Sequence, residues 1–380
     1  MTLKKKPNVN KSPLPLQLID LKRQYLEYKK EIDTQIQGVI NNSFFIMGPQ
    51  VKQLEEQLAQ YVGVKFAVGC SSGTDALLLA LMSYAIQEGD EIITTPLTFI
   101  STGEVIAFLK AKPVFVDVNP ETYLIDQKKI EKAITSKTRG IIAVDLYGQC
   151  ANYDEINAIV HKYNLFVIED AAQSFGAEYK SQRACSLADI ACTSFFPAKP
   201  LGCYGDGGMI FTNDEEKANI MRSLRIHGMG KDKFDNVRIG LNARLDTLQA
   251  AVLLAKFKHL PKEIKLRNKV ANYYNRHLNK KMITPKILNN NLSVFAQYCI
   301  RVPDRNALQK HLHDHDIPTA IHYPIPLHLQ KAFSYLGHQS GDFPNAEKIC
   351  LDILALPMHP FLKQSEQNFI IDTINSFYSA

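Results

Sequence analysis

The sequence predicts an α/β protein built on a mostly parallel central sheet flanked by helices, with a smaller α+β domain at its C-terminal end. Three observations carry this. Between residues 65 and 212, short apolar runs rich in β-branched residues alternate with stretches of helical periodicity, the rhythm of βαβ units around a sheet buried on both faces. Near residue 244 the alternation stops, and one long helical stretch leads into a region of different texture. Finally, 380 residues at 46% apolar and 22% charged can bury one large core and a second lobe, which excludes disordered and fibrous classes.

Taken in order, residues 1–15 carry Lys, Asn, Ser and Pro without periodicity and read as a flexible arm. Helical spacing covers 21–40 and, after an F-I-M-G-P turn, 51–61. Seven strands follow: K-F-A-V-G-C, E-I-I-T-T, P-V-F-V-D-V, G-I-I-A-V-D, L-F-V-I-E-D, I-A-C-T-S-F and G-M-I-F-T, with helices beginning near residues 74 and 101. A helix over 244–257 joins the lobes. Beyond it come a helix over 264–278, the strand Q-Y-C-I-R-V, a helix over 305–315, the Pro-rich T-A-I-H-Y-P-I-P-L-H and a last helix over 366–378. The large domain is thus expected to take residues 16–256 and the small one 257–380.

Forty-four Lys and Arg against 38 Asp and Glu give a net charge of +6, but six of the cations lie in the first 23 residues. The folded body is therefore nearly neutral and offers no basic stripe for a nucleic acid. Seven scattered Cys without a C-x-x-C pair argue against a disulfide framework and a zinc ribbon, and point to a reducing cytoplasm. No apolar run reaches the roughly 18 residues that a membrane span needs.

Four segments at predicted strand ends could carry chemistry, because open α/β sheets bind ligands there. In C-S-S-G-T-D-A-L, Gly73 permits a tight turn, and the amides of Gly73, Thr74 and Asp75 with the Thr74 hydroxyl would form an anion cup at a helix N-terminus. In L-F-V-I-E-D-A-A-Q, Asp170 ends a buried strand with Gln173 three residues on, and such a carboxylate needs a cation from elsewhere. In T-S-F-F-P-A-K-P-L-G-C-Y-G-D-G-G, Lys199 stands between two prolines on a rigid turn, the framing of a Schiff-base lysine rather than a surface amine. R-I-G-L-N-A-R-L-D places Asn242 and Arg244 before the long helix, with Asp246 as its cap. An anion cup, a sheet-end carboxylate and a framed lysine match the three needs of pyridoxal phosphate: phosphate grip, a partner for the pyridinium nitrogen and an amine for the aldehyde.

On these residues the chain resembles the DegT family of sugar aminotransferases, which are fold-type I pyridoxal phosphate enzymes. The motifs are G-T-D-A-L, P-x-T-F, E-D-A-A-Q-S-F-G, S-F-F-P-x-K-x-L-G-x-Y-G-D-G-G, G-x-N-x-R-L-D and H-Y-P-x-P-L-H. Within the family, the lysine segment with D-L-Y-G-Q-C-A and P-T-A-I-H-Y-P-I-P-L is most similar to the UDP-2-acetamido-2-deoxy-ribo-hexuluronate aminotransferases, which aminate a 3-keto nucleotide sugar acid for lipopolysaccharide. The resemblance implies that Lys199 forms the Schiff base and shuttles the proton, while Asp170 keeps the pyridine nitrogen protonated. It further implies that Gln173 bonds the ring hydroxyl, Phe99 covers one ring face, and Gly73, Thr74 and Ser194 take the phosphate. Asn242 would reach that phosphate from the second subunit of a homodimer, and Arg244 of that subunit would meet the uronate carboxylate. His322 and Tyr323 would lie on the sugar-nucleotide side. L-Glutamate is the implied amino donor, leaving the cofactor as pyridoxamine 5'-phosphate.

Other readings stay open at this point. A dTDP-3-keto-6-deoxyhexose is the alternative acceptor, and a non-catalytic regulatory member of the family would keep the fold alone. A dehydratase of the family carries a histidine where Lys199 stands. His311, His313 and His315 point about 200° apart per pair on a helix, which does not suit metal ligation. Residues 227–237 match no ligand contact.

Overall fold

The computed structural model describes residues 15–379, so the expected N-terminal arm lies almost wholly outside the described residues. Seven strands form the central sheet: β1 (Phe66–Cys70), β2 (Glu91–Thr94), β3 (Lys112–Phe115), β4 (Thr138–Val144), β5 (Phe166–Asp170), β6 (Ile190–Ser194) and β7 (Gly208–Thr212). Their order across the sheet is β1-β7-β6-β5-β4-β2-β3. The pairs within β3-β2-β4-β5-β6 are parallel, whereas β7 runs antiparallel to both β6 and β1. All seven predicted strands are present, and β5 and β7 are buried at every residue, as expected of strands covered on both faces.

The register explains where a site can form. Val144 pairs with Asp170, Asp170 with Cys192, Ser194 with Gly208, and Gly208 with Cys70. The carboxyl ends of β1, β4, β5 and β6 and the entry to β7 therefore lie along one edge of the sheet.

Helices α1 (Leu21–Asn42) and α2 (Pro49–Val62) precede the sheet and pack on α8 (Thr247–Phe257). α3 (Gly73–Ser83) is buried continuously from Ala76 to Leu81, because it is enclosed by β6, β7, α4 (Ile100–Phe108) and α7 (Glu215–Leu224). α5 (Gln127–Ala133) and α6 (Tyr153–Tyr163) pack against each other. The predicted helix over 244–257 begins only at Thr247. Residues 242–244 instead run extended, pairing Cys70 with Arg244 and Ile226 with Asn242 as isolated bridges. Asp246 sits at the N-cap, but its side chain accepts no capping hydrogen bond.

α9 (Leu260–His277) links two cores: Leu260 and Ile264 pack into the sheet's main cluster, while Val270, Ala271 and Tyr274 belong to another. That second core contains β8 (Tyr298–Arg301) paired antiparallel with β9 (Ile353–Leu356), together with α10 (Arg305–His313) and α12 (Gln364–Phe377). α11 (Pro344–Asp352) joins a further apolar layer, in which Leu97, Phe115 and Tyr147 from the sheet side meet Cys299, Phe333 and Phe343. Arg23 on α1 chelates Glu366 on α12 at 2.8 and 2.5 Å, tying the two ends of the described chain together.

Candidate active site

Asp170 closes β5 with 4% of its surface exposed. One carboxylate oxygen accepts from the Thr102 hydroxyl at 2.8 Å and the other from the Ala172 amide at 3.2 Å. Burial raises its pKa, opposed by the Thr102 and Ala172 hydrogen bonds and by the charge of Lys199. Thr102 is itself set by Thr98, whose hydroxyl lies 3.0 Å away. Neither threonine was singled out from the sequence; the readable signal is two hydroxyls spaced i, i+4 where the turn after β2 enters α4.

Lys199 leaves a turn closed by its own backbone. The Lys199 amide donates to the Phe196 carbonyl at 2.9 Å, the Cys203 amide to the Phe195 carbonyl at 2.8 Å, and the Phe195 amide to the Gly207 carbonyl at 2.7 Å. Gly202 is required here, since a Cβ would fall 2.4 Å from the Pro197 carbonyl oxygen. From below, the buried ammonium of Lys256 on α8 donates to the Gly202 carbonyl, and burial lowers the pKa of Lys256 to about 8. The Lys199 side chain is partly buried, and among the described residues its amine has no hydrogen-bond or ion-pair partner within contact distance. Burial lowers its pKa, while Asp170 pulls it back up. An amine of this kind is nucleophilic nearer neutrality than a surface lysine.

The anion cup forms where β1 turns into α3, with one change from expectation. The Asp75 amide is taken by the Ser72 hydroxyl at 3.0 Å as the N-cap, and the Asp75 carboxylate accepts from Ser71 and Ser72. The Gly73 and Thr74 amides have no acceptor among the described residues. Two amides rather than three, together with the Thr74 hydroxyl, therefore remain for an anion at this helix end. Ser194 faces them: a Cβ on Gly73 would sit 2.7 Å from the Ser194 Cβ, so only glycine allows this approach. The Ser194 hydroxyl accepts from the Phe196 amide at 3.2 Å.

Gln173 is fixed at both ends of its amide. Its oxygen accepts from the Tyr147 amide at 2.7 Å, and its nitrogen donates to the Tyr323 hydroxyl at 3.2 Å. Phe99, 53% exposed, stands over this region with its ring centroid 6.1 Å from that of Tyr323. Burial raises the Tyr323 pKa. The pKa of partly buried His322 is lowered by desolvation and by the Lys199 charge. Lys199, Asp170, Gln173, Phe99, His322 and Tyr323 thus gather around one space at the sheet edge, with Gly73, Thr74 and Ser194 at its β1 side.

Asn242 and Arg244 behave differently. Asn242 is exposed and its side chain makes no hydrogen bond among the described residues, and the buried Nε of Arg244 has no partner. The strap that carries them is nevertheless firmly held: the Ser71 amide donates to the Ala243 carbonyl at 3.2 Å, and the Ala243 amide to the Arg225 carbonyl at 3.0 Å. Arg225 in turn pairs with Glu55 at 2.5 Å and donates to the Gly69 carbonyl at 2.6 Å.

Two free amides at a helix start, a partnerless amine and a buried carboxylate on one sheet edge fit the phosphate, aldehyde and ring nitrogen of pyridoxal phosphate, and the chain is a pyridoxal phosphate-dependent nucleotide-sugar aminotransferase by class. More narrowly, residues 27–375 match the model of the DegT/DnrJ/EryC1/StrS aminotransferase family, and the chain belongs to that family. It is 49% identical over 348 residues to a UDP-2-acetamido-2-deoxy-3-oxo-D-glucuronate aminotransferase of Pseudomonas aeruginosa, covering 91% of this chain and 96% of that one. A crystal structure of a family member from Brucella abortus superposes with a TM-score of 0.94 at 41% identity, covering 96% of this chain and all (100%) of that one. The Bacillus subtilis protein NtdA, solved with bound pyridoxamine phosphate, superposes with a TM-score of 0.91 at 29% identity, covering 98% and 87%.

Proposed function

We propose that this enzyme moves an amino group from L-glutamate to the 3-keto carbon of UDP-2-acetamido-2-deoxy-3-oxo-glucuronate, supplying a 3-amino sugar acid for lipopolysaccharide, such as O-antigen, or another surface glycan. The bound cofactor supplies an electron sink and a carrier for the nitrogen. The observation that carries the reading is the juxtaposition of Lys199, whose amine has no hydrogen-bond or ion-pair partner among the described residues, with Asp170, a buried carboxylate at the end of β5. Asp170 holds a proton on the ring nitrogen. With the cofactor held there, Lys199 would take the proton from the substrate carbon and return it at C4′. Gln173 bonds the ring hydroxyl, Phe99 covers a ring face, and Gly73, Thr74 and Ser194 bind the phosphate.

Asn242 and Arg244 are assigned to the neighbouring subunit's site. The run Phe44–Met47 supports this: Phe44 is 64% and Ile46 52% exposed, and Ile46 bridges to Asp246, two residues past Arg244. An apolar run of this kind suits a subunit contact, and a second copy seated there makes a homodimer with shared sites. Arg244 then offers a bidentate fork to the uronate carboxylate, where a 6-deoxy sugar would bring only a methyl group. His322 and Tyr323 bound the sugar-nucleotide side. The division into a large domain of residues 16–256 and a small one of 257–380 is supported by the two separate apolar cores, with α9 shared between them. A cytoplasmic location agrees with seven unpaired buried cysteines. Among the described residues, no helix is long and apolar enough to cross a membrane.

The test loads the enzyme as pyridoxamine phosphate and offers each keto sugar separately. Return of the yellow colour with the UDP-uronate supports the assignment. Return only with a dTDP-3-keto-6-deoxyhexose overturns the substrate and leaves amino transfer intact, and no bleaching of the yellow form by L-glutamate overturns amino transfer itself.

A further inference from the structure

Tyr147 follows β4 by three residues and holds a left-handed conformation, φ +60°, that an aromatic residue rarely adopts. Nothing in the roles assigned above uses it, yet each of its polar atoms is engaged with a different segment. Its amide donates to the Gln173 side-chain oxygen at 2.7 Å. Its carbonyl accepts from the Ala296 amide at 3.1 Å. Its hydroxyl donates to the His322 carbonyl.

These bonds close a ring. Gln173, oriented by the Tyr147 amide, donates to the Tyr323 hydroxyl at 3.2 Å, and Tyr323 is the chain neighbour of the residue whose carbonyl the Tyr147 phenol holds. In this left-handed conformation the amide turns toward Gln173 while the ring runs toward His322. The loop has little room to relax. At Gly148, φ +101°, a Cβ would fall 2.8 Å from Val294 and 3.0 Å from the Ala296 nitrogen, and the Val294 amide donates to the Gly148 carbonyl at 3.0 Å. Behind it, the Asp145 carboxylate accepts from the Ala151 amide at 2.9 Å, the Tyr153 hydroxyl at 3.0 Å and the Ser174 hydroxyl at 2.9 Å, anchoring both loops that meet at Tyr147.

We propose that Tyr147 is a positioning residue that sets the cofactor-ring contact of Gln173 with its amide and the sugar-side turn at His322 and Tyr323 with its phenol. The inference rests on the functional reading above and deepens it. Because the two tasks use different atoms, they separate by mutation: Tyr147→Phe removes only the hydroxyl and leaves the amide on Gln173.

The experiment compares wild type and Tyr147→Phe as cofactor-loaded enzymes in two measurements. Hydrogen exchange over residues 320–325 should quicken about fivefold, the fold-change of one lost neutral hydrogen bond, while residues 145–151 and 171–174 keep wild-type protection. In turnover, KM for the keto sugar should rise about fivefold, with kcat and the KM for L-glutamate within about twofold of wild type. Wild-type protection at 320–325 overturns the proposal, as does an equal loss toward both substrates with faster exchange in all three segments, which would mark a general packing defect. The exchange measurement needs no turnover. A wild-type enzyme inert toward keto sugars therefore strikes the functional reading, whereas unchanged exchange at 320–325 strikes this inference alone.

Discussion

Two sides of the same site are built to different degrees of completion. Around β5 and β6 the polar groups have settled partners: Asp170 takes Thr102 and Ala172, Gln173 takes Tyr147 and Tyr323, and the lysine turn is pinned by Lys256. Among the described residues, the Lys199 amine, the Gly73 and Thr74 amides and the Thr74 hydroxyl are left without partners, and these are atoms a ligand would use. On the strap beside β1 the backbone is equally well held, but among the described residues the side chains of Asn242 and Arg244 have no hydrogen-bond partner. Unpaired buried polar atoms are costly, and the Arg244 Nε is one of them. One side of the site is thus closed by partners within the chain, and the other is not.

The completed side breaks most sharply at Lys199. Lys199→Ala should lose turnover by at least about 10⁴-fold, the upper range for one proton-transferring side chain, while still retaining cofactor through the phosphate and ring contacts. Steady-state rates within tenfold of wild type would remove it as the catalyst. Next comes Asp170→Asn, which keeps shape and the Thr102 contact but loses the charge beside the ring nitrogen. Single-turnover bleaching by L-glutamate should slow about 10³-fold, the scale of losing one preorganised electrostatic partner. Unchanged bleaching would move the ring's partner elsewhere.

The unfinished side should yield smaller and more selective effects. Arg244→Leu removes a charged fork worth about 2 kcal/mol, so the sugar half-reaction should fall roughly thirtyfold and the glutamate half-reaction much less. Equal damage to both half-reactions would point to lost packing instead. Mixing Lys199→Ala with Asn242→Ala subunits sharpens the comparison further. In a heterodimer, one of the two sites regains both native groups, so part of the activity should return. This requires Asn242→Ala to be inactive by itself, and no recovery in a heterodimer shown by mass would mean that each chain builds its site alone.

The sequence made the completed side easy to read. Its strands are continuous apolar runs, and Asp170 and Lys199 stand at strand ends where pattern and chemistry coincide. It was less informative wherever the third dimension decides. That the Asp75 amide serves its own cap, and so leaves the cup, depends on the Ser72 rotamer. Tyr147 appeared within D-L-Y-G-Q-C, but nothing in a linear string shows that its amide and phenol meet residues 26 and 175 positions away. Around Arg244 the string is ambiguous, since it reads both as the start of the long helical stretch and as the loop before a helix that Asp246 caps, and the structure decides for an extended strap. Backbone pairing with Cys70 and Arg225 outcompetes that propensity.

Beneath the completed side lies a pair whose effect is smallest and reads out in stability. Glu169 faces away from the ligand space and accepts from the Cys185 amide at 2.6 Å and the Leu187 amide at 3.1 Å. Burial raises the pKa of both Glu169 and its hydrogen-bonded neighbour Asp145, the latter to about 6. With folded pKa values above the unfolded ones, the native state holds the extra proton. The pair's contribution is therefore fully present below about pH 4 and is lost as pH rises through about 6, with a slope of at most about 1.4 kcal/mol per pH unit for one proton. Glu169→Gln removes one ionisation and gives Asp145 an amide donor, at the expense of one backbone amide left without its acceptor, about 1 kcal/mol. These terms oppose each other in absolute stability, so the slope is the quantity to measure. Thermal unfolding between pH 4 and 7 should decline less steeply in the variant than in wild type, with turnover nearly unchanged. Parallel profiles would show that the two carboxyls do not share a proton, and that Asp145 anchors its loops as an ordinary carboxylate.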